Sequence, residues 1–568
     1  MIKSILIAGF FGLFAFYLPS CRSGTDQPTI ATDSISISKG NLLFTQQCSG
    51  CHNLRQNGIG PALSGITDSA SPDWIRQFIK DPKQLIESGD QRAKLLFAKY
   101  PTVMPSFPSF NVDDLNNLVS YLHTQKTSLS KKPSDPLALK DPIPQRIPFS
   151  HLLLELEPYT QIPASSKNPP LARIVKMDIQ PVTRKLFILD LRGKLYQMQH
   201  DTPAVYFDIA KEKPHFIDKP GLATGFGSFA FHPDFLNNGL LYTTHTEPRD
   251  SKKADFGFND SIKVTLQWVL TEWKTKNPRE LLFTGTPREL FRINMVAGIH
   301  GVQEIAFNPS TKKGYDYGLL YIGIGDGGAV ENGHPEMVQN TKTLWGTILR
   351  IDPLGNNSKN GEYGIPISNP FAGRGDSSLG EIYAFGFRNP NHLTWTRSGQ
   401  LLATNIGHAN IESVNYIRKG RNYGWPIREG TFVIQAEKGL ENIYPLPLND
   451  SSYKIAYPVV QYDHDEGQAI AGGFEYTGKK IAQLRGKYLF GDIVNGRLFY
   501  SSLRDMKDGT QATVKEWKIT MNSKSVTLRE LCKNNRVDLR FGRDNFGEMY
   551  ILTKADGKIY RLKPPVKN

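Results

Sequence analysis

Phe229-Ala230-Phe231-His232-Pro233, followed after a short gap by Leu240-Leu241-Tyr242, decides how most of this 568-residue chain is read. Apolar residues at every second position, then a turn residue, then a second apolar run, have the period of a β-hairpin rather than a helix. Five other segments repeat the pattern, starting at Met177, Ile305, Leu393, Phe474 and Leu539. Further second runs stand at Leu319-Leu320-Tyr321 and Glu548-Met549-Tyr550. The starts lie between 52 and 88 residues apart, a loose period that leaves room for long loops. Six such sheet units predict an all-β, six-bladed propeller over residues 149–568, since one ordinary compact core would not hold so long a region.

If each first run is the innermost strand of its blade, the residues five positions earlier share one rim of the central channel. These are Ala172, Thr224, His300, Arg388, Ala469 and Asn534, and only His300 and Arg388 among them are ionisable. A second strand running back antiparallel returns its far end to the same rim. Gly325-Asp326-Gly327-Gly328, Asn405-Ile406-Gly407-His408 and Gly491-Asp492 are thereby expected at that mouth. Polar loops on a rigid scaffold are where such a fold binds ligands. Asp463-His464-Asp465-Glu466 reads as a solvated acidic loop.

Ahead of this region stands Cys48-Ser49-Gly50-Cys51-His52, the C-x-x-C-H arrangement that attaches a c-type haem through two thioethers and places His52 under the iron. A zinc half-site would need a second cysteine pair, and none exists. Gly60-Pro61 is spaced to pass the edge of His52, and Met104 is the candidate sixth ligand. Asn111 with Asp114 forms a capping pair opening a helix whose Leu115, Leu118, Val119 and Leu122 share one face. A second helix is expected to run from about Gly40 into Cys48. Residues 38–126 thus resemble a small all-α class I cytochrome c.

The chain opens with Lys3, then an apolar run from Ile5 to Tyr17 too short to span a bilayer, as in a secretory signal. Leu18-Pro19-Ser20-Cys21 resembles a bacterial lipobox, which implies removal of residues 1–20, a lipid on Cys21 and a membrane-anchored lipoprotein in the cell envelope, facing the periplasm. Residues 21–37 then form a polar tether, and the proline-rich stretch 127–148 an extended linker. With Cys21, Cys48 and Cys51 so used, only Cys532 remains, a small apolar core residue that can form no internal disulfide. The net charge of +14 is diffuse rather than clustered, which argues against nucleic acid as a partner.

Residues 170–562 resemble the PQQ-dependent soluble aldose (glucose/sorbosone) dehydrogenases. The likeness runs through Phe229–Phe235, Gly325-Asp-Gly-Gly328, Leu349-Arg-Ile-Asp352, Gly386-Phe-Arg-Asn-Pro390 and Asn422-Tyr-Gly-Trp-Pro426. It implies that His300 is the general base toward a sugar hydroxyl and that Arg388 lies beside the quinone oxygen. It further implies that Asn389 holds the cofactor, that Arg536 and Arg540 bind it, and that the carbonyls of Gly407 and His408 ligate a calcium ion. The family's glutamine near the base is replaced around Ala223, and its cofactor-binding lysine falls near Val494, with Arg497 close enough to substitute. The acidic pair before Asn415 is reduced to Glu412-Ser413. Two readings follow. The first is an exported oxidoreductase that oxidises a sugar or related alcohol at PQQ and passes electrons to its own haem c and onward to a downstream acceptor. The second is a carbohydrate- or protein-binding propeller without PQQ beside an electron-transfer cytochrome.

Overall fold

The computed structural model describes residues 30–565 apart from 49–51, 53, 55–59, 101–103, 127–134, 168, 220–222, 310–313 and 315. The signal segment, Cys21 and Cys51 lie outside the described residues. Among those described, no helix is long and apolar enough to cross a membrane.

The amino-terminal part is helical. Its first helix, Ser34–Leu43, continues as a wider turn over Phe44–Cys48 and so delivers Cys48 as expected. It begins inside the segment read as polar tether because Asp33 caps it, accepting a hydrogen bond from the Ser36 N–H at 2.9 Å. The helix Val112–Thr124 carries the expected capping box: Asn111 Oδ1 accepts from the Asp114 N–H at 2.8 Å, and Asp114 Oδ2 from the Asn111 N–H at 3.1 Å. Leu115, Leu118, Val119 and Leu122 are all buried. The two helices cross at Gly40, where an added Cβ would stand 1.9 Å from the Asn117 carbonyl oxygen.

The rest is a large all-β, propeller-like domain. Its six leading strands are Ile174–Ile179, Phe226–Phe231, Glu304–Phe307, Pro390–Trp395, Ile470–Glu475 and Leu539–Arg543, and each contains the start of one predicted segment. Each leading strand packs against the next, and the last packs against the first. Every residue of Phe226–Phe231 is buried, because sheets covered on both faces hide the outward half of the alternation. The first four leading strands each open a four-stranded antiparallel sheet. The last two share a nine-stranded sheet joined by Phe149–Gln161, which pairs antiparallel with Lys558–Lys563 and parallel with Lys515–Met521. This strand from the start of the domain therefore completes a sheet begun near its end, with Leu154 and Leu156 fully buried.

The segment before it is extended but docked. The Leu139 N–H donates to the Ile443 carbonyl at 2.9 Å, the Ile143 N–H to Asp463 Oδ2 at 3.2 Å and the Ile147 N–H to Glu466 Oε1 at 3.0 Å. The acidic loop expected to be solvated is thus largely an anchor: Asp463 and Glu466 are buried, and His464 Nε2 donates to the buried Glu412 carboxylate at 3.0 Å. Burial and neighbouring Asp465 push the Asp463 carboxyl up.

Candidate functional site

His300 stands in the turn that enters Glu304–Phe307, and Asp326 just past the end of Leu320–Ile324. The second strand does return to the rim: His300 Nδ1 lies 2.7 Å from Asp326 Oδ1. The Gly328 N–H donates to the same oxygen at 2.9 Å, and Trp425 Nε1 donates to Asp326 Oδ2 at 2.9 Å. A carboxylate on Nδ1 keeps the imidazole proton there and leaves Nε2 as the basic nitrogen. His300 is held at φ +48°, a left-handed conformation that a non-glycine residue adopts only when its surroundings enforce it. Part of that enforcement is Gly325, where an added Cβ would meet the His300 carbonyl oxygen at 2.3 Å.

Arg388 joins the same cluster. Its carbonyl accepts from the Asp326 N–H at 2.8 Å, its Nη2 pairs with Glu331 Oε1, its Nη1 donates to the Gly407 carbonyl at 2.5 Å, and its guanidinium lies 5.8 Å from the Trp425 ring centroid. Glu331 also holds His408 Nδ1 at 3.1 Å. Burial pushes the Glu331 carboxyl up, but Arg388, His408 and His300 outweigh it and hold it well below the usual carboxylate range. The Gly407-His408 turn is fixed from behind: Glu429 Oε1 accepts from the N–H groups of His408, Asn410 and Ile411, and Glu412 Oε1 from that of Gly407. Arg388 Nε and His408 Nε2 are buried without a hydrogen-bond partner among the described residues. The unpartnered Arg388 Nε–H suits an acceptor-rich ligand such as a quinone carboxylate, and so this residue fits PQQ.

The calcium expectation fares differently. The Gly407 carbonyl is already taken by Arg388, and among the described residues no three acidic, histidine or cysteine side chains converge.

The remaining expected residues divide. Asn389 is buried at the mouth, its N–H donating to Asn405 Oδ1 at 2.9 Å. Gln303 Nε2 donates to the Ala223 carbonyl at 3.3 Å, so a glutamine amide does stand where position 223 lacks one. Arg536 Nε donates to Asp538 Oδ1 at 2.8 Å, and Arg540 to the Leu539 carbonyl at 2.7 Å, both at the entry to the sixth leading strand. Arg497 does not replace the lysine: its guanidinium is clamped between Glu466 and Glu516, each at 2.6 Å, which braces the linker anchor instead. Asp492 caps a turn, accepting from the N–H groups of Gln468, Ala469, Val494 and Asn495. Residues that the sequence left unassigned include Glu331, Trp425 and Glu429. Trp425 lay inside a quoted motif, whereas nothing local marked Glu331.

The helical domain holds a second site, an apolar cavity of about 270 Å³ lined by His52, Met104, Cys48, Phe44, Leu118 and Tyr100 among others. His52 Nδ1 is 2.9 Å from the Pro61 carbonyl, and burial holds its imidazole below its ordinary value, neutral and ready to ligate. An added Cβ at Gly60 would come within 2.5 Å of His52 Cε1, so only glycine lets the loop pass. These residues fit haem c. Cys532, half-buried, has its thiol pushed up to about 12 by burial, which suits an inert residue.

Comparison with known proteins follows the same division. A family model described as glucose/sorbosone dehydrogenase matches residues 176–561, and one described as cytochrome c matches residues 37–126. The HIPL1 protein of Arabidopsis thaliana is 26% identical over 395 residues, covering 60% of this chain and 53% of that protein. Quinoprotein glucose dehydrogenase B of Acinetobacter calcoaceticus is 26% identical over 255 residues, covering 41% and 46%. A solved glucose dehydrogenase superimposes with a TM-score of 0.50 at 18% identity, covering 72% of this chain and 98% of that one, and so shares the fold. The chain spans little more than half the length of the first curated relatives it matches.

Proposed function

Because the chain belongs to the glucose/sorbosone dehydrogenase family and carries a cytochrome c domain, we propose that it oxidises a sugar or related alcohol at PQQ and delivers the electrons to its own haem c. When bound, PQQ supplies a two-electron acceptor and haem c a one-electron outlet. The single observation that carries the reading is the pairing of His300 with Asp326 beside Arg388. His300 Nε2 accepts the substrate hydroxyl proton, and Asp326 steadies the imidazolium that results. Arg388, its charge kept by Glu331, offers a fixed cation to negative charge that develops at the mouth. Trp425 orients both, through Asp326 and through the guanidinium face.

Support for an internal electron path comes from the linker. Leu139 and Ile143 pack with Leu440, Ile443 and Trp425, so the linker lies on the back of the mouth. The proposal reads the cyclic leading strands as six blades, takes the protein to be exported and anchored through a lipid on Cys21 in the periplasm, and leaves calcium out of the chemistry.

The test supplies PQQ and a panel of aldoses to the haem-loaded protein and follows haem reduction. Reduction should require both, and His300→Ala should slow it by about 10²–10⁴-fold. Failure of the wild-type protein to bind PQQ at micromolar concentration would instead favour the binding-module reading.

A further inference from the structure

A further cavity opens at the other end of the leading strands. The mouth lies where these strands begin, and their entries adjoin there: the Phe226 N–H donates to the Leu191 carbonyl at 2.8 Å, and Thr224 Oγ1 to the Gly298 carbonyl at 3.3 Å. Gln180 instead follows directly on Ile174–Ile179, so the turn 180–185 stands on the opposite face of the propeller. The strands Lys194–Gln199 and Thr202–Asp208 bring Gln197 and Tyr206 to this turn. The loop 276–284, which joins Leu266–Thr275 to Gly285–Met295, closes over them from the neighbouring sheet, its Phe283 N–H donating to the Tyr206 carbonyl at 2.7 Å. The cavity so formed has a volume of about 70 Å³ and is lined by Gln180, Gln197, Tyr206, Lys185, Arg279 and Glu280 among others. That is room for several waters or for one edge of a small polar ligand.

The cavity wall is polar, buried and unpaired. Gln180 and Tyr206 are each 2% exposed and Gln197 3%. Neither the Gln197 amide nor the Tyr206 hydroxyl has a hydrogen-bond partner among the described residues. Gln180 Oε1 accepts from the Thr183 hydroxyl, which leaves its Nε2 for the cavity. Interiors rarely leave such groups unmatched unless a ligand or ordered water takes them. The turn that presents Gln180 is closed by two hydrogen bonds of 2.9 Å, from the Arg184 N–H to the Gln180 carbonyl and from the Gln180 N–H to the Lys185 carbonyl. Within it Val182 and Arg184 stand at φ +74° and +58°, and a β-branched residue adopts that conformation only when its surroundings enforce it.

The chemistry of the lining selects the ligand. A glutamine amide both donates and accepts, as does a phenol, whereas Lys185 and Arg279 only donate. Glu280 Oε2 already accepts from Thr284 Oγ1 at 2.8 Å, which leaves Oε1 as an acceptor. A bare anion would meet Glu280, and a bare cation would meet Lys185 and Arg279. Neighbouring hydroxyls, each donor and acceptor at once, match this mixture, and Pro278 and the Tyr206 ring offer an apolar neighbour to C–H groups. We infer that this cavity binds the hydroxyl edge of a neutral monosaccharide unit, as a carbohydrate-holding site separate from the mouth. Nothing in it depends on PQQ, so it stands apart from the proposed function. Placed on the far face, it can hold a glycan while the mouth remains free.

The experiment uses the haem-loaded protein with Gln197→Leu and Tyr206→Phe, each of which removes an unpaired polar group and nearly keeps the side chain's size. The probes are methyl α-glucoside, methyl α-galactoside and methyl α-mannoside, whose blocked C1 hydroxyl keeps them from being oxidised there, with inorganic phosphate and glutamate as charged rivals. Binding is read by isothermal titration calorimetry, and folding by the haem spectrum and the thermal midpoint. The wild type should bind at least one glycoside at millimolar concentration, and both variants should bind it about tenfold more weakly, as expected for the loss of one or two hydrogen bonds. Both variants should keep the haem spectrum and melt at or above the wild-type midpoint without ligand, since a buried group with no partner has been removed. Glycoside binding that weakens in both variants supports the site even in a protein that binds no PQQ, and in that case only the proposed function falls. Equal affinity in wild type and variants would place the glycoside elsewhere and overturn the inference. Binding of phosphate or glutamate alone, or of no probe at all, would overturn it too.

Discussion

Glu331 shows how one carboxylate can hold a site together. It pairs with Arg388 and holds His408 Nδ1 at once in a buried place. Removing one partner of a buried pair strands the other charge, so Glu331→Gln should lower stability by about 3–5 kcal/mol in urea unfolding. The effect depends on pH with a definite sign. The folded-state value is held well below the ordinary carboxylate value of about 4.3, so the stabilisation is complete above that pH and is lost as the solution is acidified below it. The difference between wild type and Glu331→Gln should therefore be constant at pH 5 and above and shrink as pH falls below 4. A constant difference down to pH 3 would show that Glu331 is not charged in the folded protein.

At the level of the element, local rules and close approaches both set the positions of ligands. The capping box at Asn111 and Asp114 starts its helix from side chains within four residues of each other, which is why it could be read without a structure. The Gly60-Pro61 loop is different, because its requirement comes from His52 lying against it. Gly60→Ala places a methyl group inside the imidazole contact and should displace the ring from its Pro61 hydrogen bond. The expected result is a covalently attached haem with an altered axial-ligand spectrum and a shifted midpoint potential. An unchanged spectrum and potential would mean that this loop does not position the ring.

Across the whole molecule, the stretch that leads into the propeller is docked on it rather than free. Its backbone hydrogen bonds to Ile443, Asp463 and Glu466 fix residues 139–147 along the propeller, and Lys438 and Tyr444 hold Asp135. Replacing 135–147 by a Gly/Ser stretch of equal length keeps the domains tethered but removes that docking, leaving only a local concentration of one domain near the other. Haem reduction by sugar should slow at least tenfold while oxidation of the same sugar by a soluble dye is unchanged. Equal haem reduction rates would show that the docked linker has no part in electron delivery.

The sequence by itself determined the elements and their chemistry: six leading strands from period-two alternation, the capped helix, the haem motif, and His300 and Arg388 from their shared register. Each of these depends on residues near in the chain or on a repeat counted along it. Tertiary structure alone decided which charges meet. Glu331 reaches Arg388 across 57 residues, Arg497 is spent on Glu466 and Glu516, Asp463 and Glu466 of the acidic loop receive the linker's N–H groups, and the strand Phe149–Gln161 closes a sheet begun at Ile470. A buried ion pair or a closing strand carries no periodicity of its own. Its partner is selected by the packing of sheets around the ring, and that selection exists only once the chain has folded.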